Sequence, residues 1–239
     1  MAIALVAQTT FDHAAANNDT LTYSSSGNGS GSLMVAFISR SGGLATGALT
    51  SITDSATNTW HMATRGTVSG VTNTRIELWY TYAYSSVTSI TLNSSQSQYY
   101  ASSLTEWSGI DTSTNPLNVI SPDNSGATAS TTQTTPTINT TTAIALIVAA
   151  IHHTKTTSTD NDGTFTRLTN FDSTTAGSGR ASYKFVNSTG SYTDNWTLGT
   201  SQGAGLITAA FNGQSSVTDP VAREFIYMQS AIVQSRRLH

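Results

Sequence analysis

Leu33-Met34-Val35-Ala36-Phe37 is echoed 113 residues later by Leu146-Ile147-Val148-Ala149-Ala150. Three further landmarks follow in the same order. Trp60 is matched by Phe165 at an offset of 105, Arg75-Ile76-Glu77-Leu78-Trp79-Tyr80 by Arg180-Ala181-Ser182-Tyr183-Lys184-Phe185 at 105, and Trp107-Ser108-Gly109 by Phe211-Asn212-Gly213 at 104. The larger first offset reflects a longer loop in the first copy. Solenoid repeats run to about 20–50 residues, so a period of this length, carried by alternating apolar and polar residues, predicts two similar halves of one β-sandwich.

Arg75 to Tyr84 is the clearest strand. Alternation sends Ile76, Leu78, Tyr80, Tyr82 and Tyr84 to one face, and Glu77, Trp79, Thr81 and Ala83 to the other. Shorter strands are expected at 3–7, 20–24, 33–39, around Ile52, and at 59–63, 89–92 and 99–107. In the second half they fall at 143–151, 164–168, 181–186, 193–198 and 206–211. Between the halves, 111–136 is a Thr/Ser/Asn connector punctuated by Pro116, Pro122 and Pro136, which fits an ordered crossing or a mobile loop. The expected fold is all-β: a two-sheet antiparallel, jelly-roll-like sandwich over residues 1–213 in which each half supplies strands to both sheets.

Composition excludes more than it names. Only 10% of the 239 residues are charged, against an average near 25%, and Ser and Thr supply about a third of the chain. A surface wetted by hydroxyls instead of charge has little self-repulsion and suits dense packing against copies or partners. Net charge of −3 without a basic stripe argues against nucleic acid. There is no cysteine, hence no disulfide frame or thiolate metal site. The first residues lack the basic region of a secretion signal, and no apolar run approaches the ~18 residues of a membrane helix. The expectation is a chain made in the cytoplasm without a leader.

After Gly213 the pattern changes. Asp219-Pro220 is a helix start, and Val221, Phe225, Met228 and Ile232 recur at helical spacing, with Arg236-Arg237 near the end. Residues 214–239 are therefore expected to form a short helix or arm. It either closes on its own sandwich or docks on a neighbouring subunit, with Phe225, Ile226, Met228 and Ile232 as anchors.

Candidate chemistry is sparse. Of three glutamates, Glu77 and Glu106 lie on strands and would have to share a groove to act as a glycosidase pair. An Arg75–Glu77 surface pair is the simpler reading. His152 and His153 are adjacent on a strand, point to opposite faces, and read as a strand-end pair at the rim, not joint metal ligands. Asp160-Asn161-Asp162-Gly163 opens like a calcium loop, but Phe171 stands where an EF-hand needs a carboxylate, so Asp162-Gly163 reads as a hairpin turn, or Asp160 and Asp162 as a different calcium site. No catalytic residue, metal or cofactor is assigned. Trp79 and one of Tyr99 and Tyr100 are expected to face outward, Trp79 as a surface contact for a protein partner or a glycan.

The runs Ser51-Ile52-Thr53-Asp54-Ser55-Ala56-Thr57-Asn58-Thr59-Trp60, Arg75 to Tyr80, and Leu104-Thr105-Glu106-Trp107-Ser108-Gly109 resemble a β-sandwich module of tailed-bacteriophage virion proteins and bacterial surface proteins. The resemblance covers roughly residues 3–213. It implies a structural or adhesive role without catalysis: a capsid decoration (cement) protein or a tail- or fibre-associated subunit. The partners would be other virion proteins and copies of itself. The alternative is a carbohydrate- or receptor-binding module.

Overall fold

A computed structural model describes residues 2–215 except 24, 26–30, 42–48, 69–73, 123–125, 155–158, 162 and 174–176. The first half holds β1 (Ala4–Thr22), β2 (Leu33–Ser41), β3 (Leu49–Asp54), β4 (His61–Thr67), β5 (Arg75–Tyr82) and β6 (Ser89–Ser108). The connector gives β7 (Leu117–Ile120), β8 (Gly126–Thr134) and β9 (Ile138–Asn139). The second half gives β10 (Ala145–His153), β11 (Thr159–Asn161), β12 (Thr166–Arg167), β13 (Phe171–Ser173), β14 (Gly177–Val186), β15 (Ser191–Tyr192) and β16 (Asn195–Asn212). All of the pairings are antiparallel. The helix expected over 214–239, with Phe225, Ile226, Met228 and Ile232, lies outside the described residues.

The two apolar runs that open the repeat become the central strands. In a six-stranded sheet the order is β1-β6-β2-β5-β4, with β3 also on β6; in an eight-stranded sheet it is β11-β16-β10-β14-β12, with β13 on β14 and β7 and β8 on β16. Each half therefore builds its own sheet, contrary to the expectation that strands would be shared. The reason is local: β5 and β6 return directly to the two edges of β2, as β14 and β16 return to β10, so every long pairing closes within its half.

Register makes the repeat explicit. Leu33 faces Tyr82 and Trp107 across its two ladders, and Leu146 faces Phe185 and Phe211. Tyr82 is thus the counterpart of Phe185, and Glu77 of Arg180, two residues from the match read off the sequence. A shift of two preserves the alternation, so inward and outward assignments in β5 survive it. The connector is more than a crossing, because β7 and β8 flank β16 as β1 flanks β6.

The inner faces meet in one core that joins Leu33, Val35, Phe37, Leu78, Tyr80 and Trp107 of the first sheet to Leu146, Val148, Ala150, Ile207 and Phe211 of the second. Phe171 stacks on Phe37 at 6.5 Å. Gly179 makes room for it, since a Cβ there would overlap the Phe171 ring. The outer faces are also covered. The far ends of β1 and β6, with β3, bring Leu21, Leu49, Ile52, Ile90 and Leu92 onto Met34, Ala36, Ile38 and Leu104. In the second half, Trp196 and Leu198 of β16 pack on Ile151 and Leu206 of the same sheet, while Ile138 and Phe165 cover Ile147 and Ala149. Tyr84 belongs to the first of these outer clusters and not to the Ile76/Leu78 face. Ala83, at φ 49°, turns the chain just after β5 and breaks the alternation.

A polar contact crosses the main core. Ser39 Oγ lies 2.5 Å from His152 Nδ1, both residues fully buried. His152 and His153 do take opposite faces, but neither is at a rim. Burial, with His153 beside it, lowers the His152 pKa to about 3, so the ring is neutral at pH 7. The unfolded ring titrates near 6.5. The unfolded chain therefore binds a proton that the native state refuses between pH 6.5 and 3, and stability is lost as pH falls through that window, by up to ~1.4 kcal/mol per pH unit. His152→Gln should make the dependence of the urea midpoint on pH between 6.5 and 4 shallower than in the wild type. An unchanged slope would refute this assignment.

Candidate functional site

Several residues singled out from sequence occupy other places in the fold. Trp79 is only 6% exposed and packs in the outer cluster of the first sheet. Its indole N–H donates to Glu77 Oε2 at 3.0 Å. It points away from the main core as expected, but the β1–β3–β6 ribbon covers that face, so it is not a surface contact here. Tyr100 is likewise buried, and Tyr99 is half-buried.

Glu77 is 1% exposed and pairs with Arg40 at 3.3 Å, not with Arg75 at the surface. Burial pulls the Arg40 guanidinium below its ordinary pKa and the Glu77 charge opposes that pull. Glu106 shares the outer face but sits on the rung of Met34, four residues along β2 from the Ile38 rung of Glu77. At ~3.4 Å per residue the two backbone positions lie roughly 13 Å or more apart, and Glu77 is held by Arg40 and the Trp79 indole, an arrangement unlike a shared catalytic groove. Burial and the Glu106 charge raise the pKa of Tyr23 and Tyr84 beside it. Asp160 and Asn161 are strand residues of β11, Gly163 has φ 78°, and Asp162 lies outside the described residues. Among the described residues no group of three or more His, Asp or Glu is placed to hold a metal ion.

One feature among the described residues with the shape of a site is an open groove of about 490 Å³ lined by Thr57, Asn58, Thr59, His61, Thr81, Tyr82 and Ala83. It sits where β5 ends and β4 begins. One wall is the loop after β3, organised by Asp54. Its Oδ1 accepts the backbone N–H of Ala56 (2.9 Å) and Asn58 (3.1 Å), while its Oδ2 accepts Asn58 Nδ2 (3.1 Å) and the Trp60 indole (2.8 Å). The Asn58 side chain then clasps Ser85, accepting its N–H at 2.9 Å and donating to its carbonyl at 3.1 Å. Ser55 Oγ accepts the N–H of Thr88 at 2.8 Å. Two loops distant in sequence are thereby locked together.

The other wall is aromatic. His61 and Tyr82 stack at 5.8 Å with 24° between their planes, and Tyr80 lies 6.3 Å from Tyr82. Tyr80 meets Phe211 edge-on at 5.2 Å, which ties the stack to the core. Thr57 (φ 57°) and Ala83 (φ 49°) are left-handed without being glycine, and both line the groove. Such conformations cost of order 1–3 kcal/mol each and cluster at functional sites. The sequence is turn-rich over Asp54-Ser55-Ala56-Thr57-Asn58. Nothing in periodicity reported that the loop after β5 would close against it.

Glu77→Ala should lower stability in urea by about 3–5 kcal/mol, because Arg40 is left buried without its counter-charge, whereas Arg40→Met with Glu77→Leu should recover most of the loss. Asp54→Ala should cost about 2 kcal/mol through its four donors. Ala83→Gly should instead add about 1 kcal/mol by relieving the left-handed backbone.

Compared with known proteins, the chain matches no family model, no curated protein and no solved structure.

Proposed function

We propose that this chain is a structural protein of a phage virion, a capsid decoration (cement) protein or a tail- or fibre-associated subunit, and that it works by packing against neighbouring subunits. The observation that carries the reading is where the chain enters and leaves the sandwich. Gly109, at φ 76°, lies so close to Ala2 that a Cβ would overlap the Ala2 carbonyl. The Gln214 N–H donates to the Gly109 carbonyl at 2.8 Å. The start of the chain and residue 214 therefore lie side by side at one end of the block. In the sequence, the amphipathic run with Phe225, Ile226, Met228 and Ile232 follows residue 215.

The surface supports the same reading. Both sheets are covered on both faces by the chain's own segments, and the large hydrophobic residues exposed among the described ones are Val6, Ile120 and Phe185. A block of this kind offers little apolar area of its own toward the ~1,200–2,000 Å² of a stable contact, leaving the terminal segments to supply it. Cement function requires no reaction.

Light scattering on the full chain and on a version ending at Gln214 tests the reading, with circular dichroism to confirm that the shorter one keeps its sheets. An oligomer that becomes a folded monomer on truncation is the expected result. Two folded monomers would remove self-assembly through the arm.

A further inference from the structure

We infer that the groove between the Asp54–Trp60 loop and the end of β5 is a binding site for a neutral saccharide. The inference does not rest on the assembly reading, since the groove is built wholly from described residues of one chain and would serve a monomer equally.

The lining sets the ligand class. It contains no Asp, Glu, Lys or Arg, so a strongly charged group would leave water without a partner. It does contain the exposed Thr57 and Thr59, with the buried Thr81 behind them, Asn58, whose amide is engaged by Asp54 and Ser85, and two rings, His61 and Tyr82, held nearly parallel. A ligand matched to these groups has apolar faces and hydroxyl-bearing edges, as a pyranose ring has. A volume of about 490 Å³ falls within the range of small-ligand sites, about 300–1,000 Å³.

The walls are also held in place before any ligand arrives. Asp54 fixes one loop, Asn58 clasps it to the next, and the rings are braced through Tyr80 by Phe211. Walls already fixed need not be ordered on binding, and that ordering otherwise lowers affinity. Backbone strain at Thr57 and Ala83 falls on the lining of this same groove and bounds it on both sides. The aromatic platform is thus Tyr82 with His61, not the buried Trp79.

The test is a titration of the full chain with methyl glycosides of glucose, galactose, mannose, rhamnose and N-acetylglucosamine, followed by amide NMR shifts, and a glycan array carrying neutral and sialylated chains. Saturable binding of at least one neutral sugar in the millimolar range or tighter is expected, with shifts centred on Thr59, His61 and Tyr82. Tyr82→Leu keeps apolar packing but removes the ring, and should weaken binding at least tenfold. Thr59 is exposed, so Thr59→Arg should fill the groove without touching the core and abolish binding while the melting curve is unchanged. The proposal is overturned if no neutral sugar binds the wild type at about 50 mM, ~50-fold above a millimolar dissociation constant. It is equally overturned if binding survives both folded variants, or if only sialylated chains bind.

Discussion

Two strands that are buried on both faces and paired along both edges impose the arrangement of everything else. From Leu33 to Arg40 in β2 and from Ala145 to His153 in β10, every residue is buried. Alternation sends half of each strand toward the opposite sheet, and that half is satisfied by the shared core. The other half needs a second cover, which neither sheet can supply while flat. The chain meets the need by making β1, β6 and β16 too long for their sheets and bending the surplus back over the outer faces. Register shifts in β1 between His13 and Asn18, and in the β16–β8 ladder between Thr197 and Gln202, mark the bends. Such irregularities are the usual way to aim a strand away from its sheet.

The outer layers also hold the fold's least economical residues. The rung of Ile38 carries Glu77, and the matching rung of Ile151 carries Arg180, charges of opposite sign at equivalent places in the two halves. Each is neutralised within its own half, Glu77 by Arg40 and Arg180 by Asp172. An apolar side chain would sit there at lower desolvation cost, so these pairs are weak evidence of stability. In the centre, Ser39 and His152 place a neutral hydrogen bond between the two sheets.

Much of this was legible in the residues, and the parts that were not have physical reasons. The doubled pattern around Leu33 and Leu146 revealed the sandwich, because a strand buried on both faces leaves an unbroken apolar run. The same residues could not say which strands would share a sheet, since pairing is decided by loop closures that leave no periodic trace. β6 and β16 each looked like two strands because the bends at 94–98 and 199–203 are polar and small, as a loop would be. Trp79 and Glu77 were placed on the correct face and given the wrong environment, for alternation gives direction but not what covers it. The groove was half visible: Asp54 to Asn58 is rich in turn residues, but its partner wall begins at Ala83, where a left-handed residue ends the alternation unannounced.

The contact of Ala2 with Gly109, and of Gly109 with Gln214, has a consequence for how this block combines with other chains. A domain whose two ends touch occupies almost no length in a host polypeptide. It can be set into a surface loop of another protein as a side branch, without stretching the loop or displacing the strands around it. A domain with ends at opposite poles can only be threaded in series, as a bead that lengthens its host. A domain whose entry and exit adjoin needs no such lengthening.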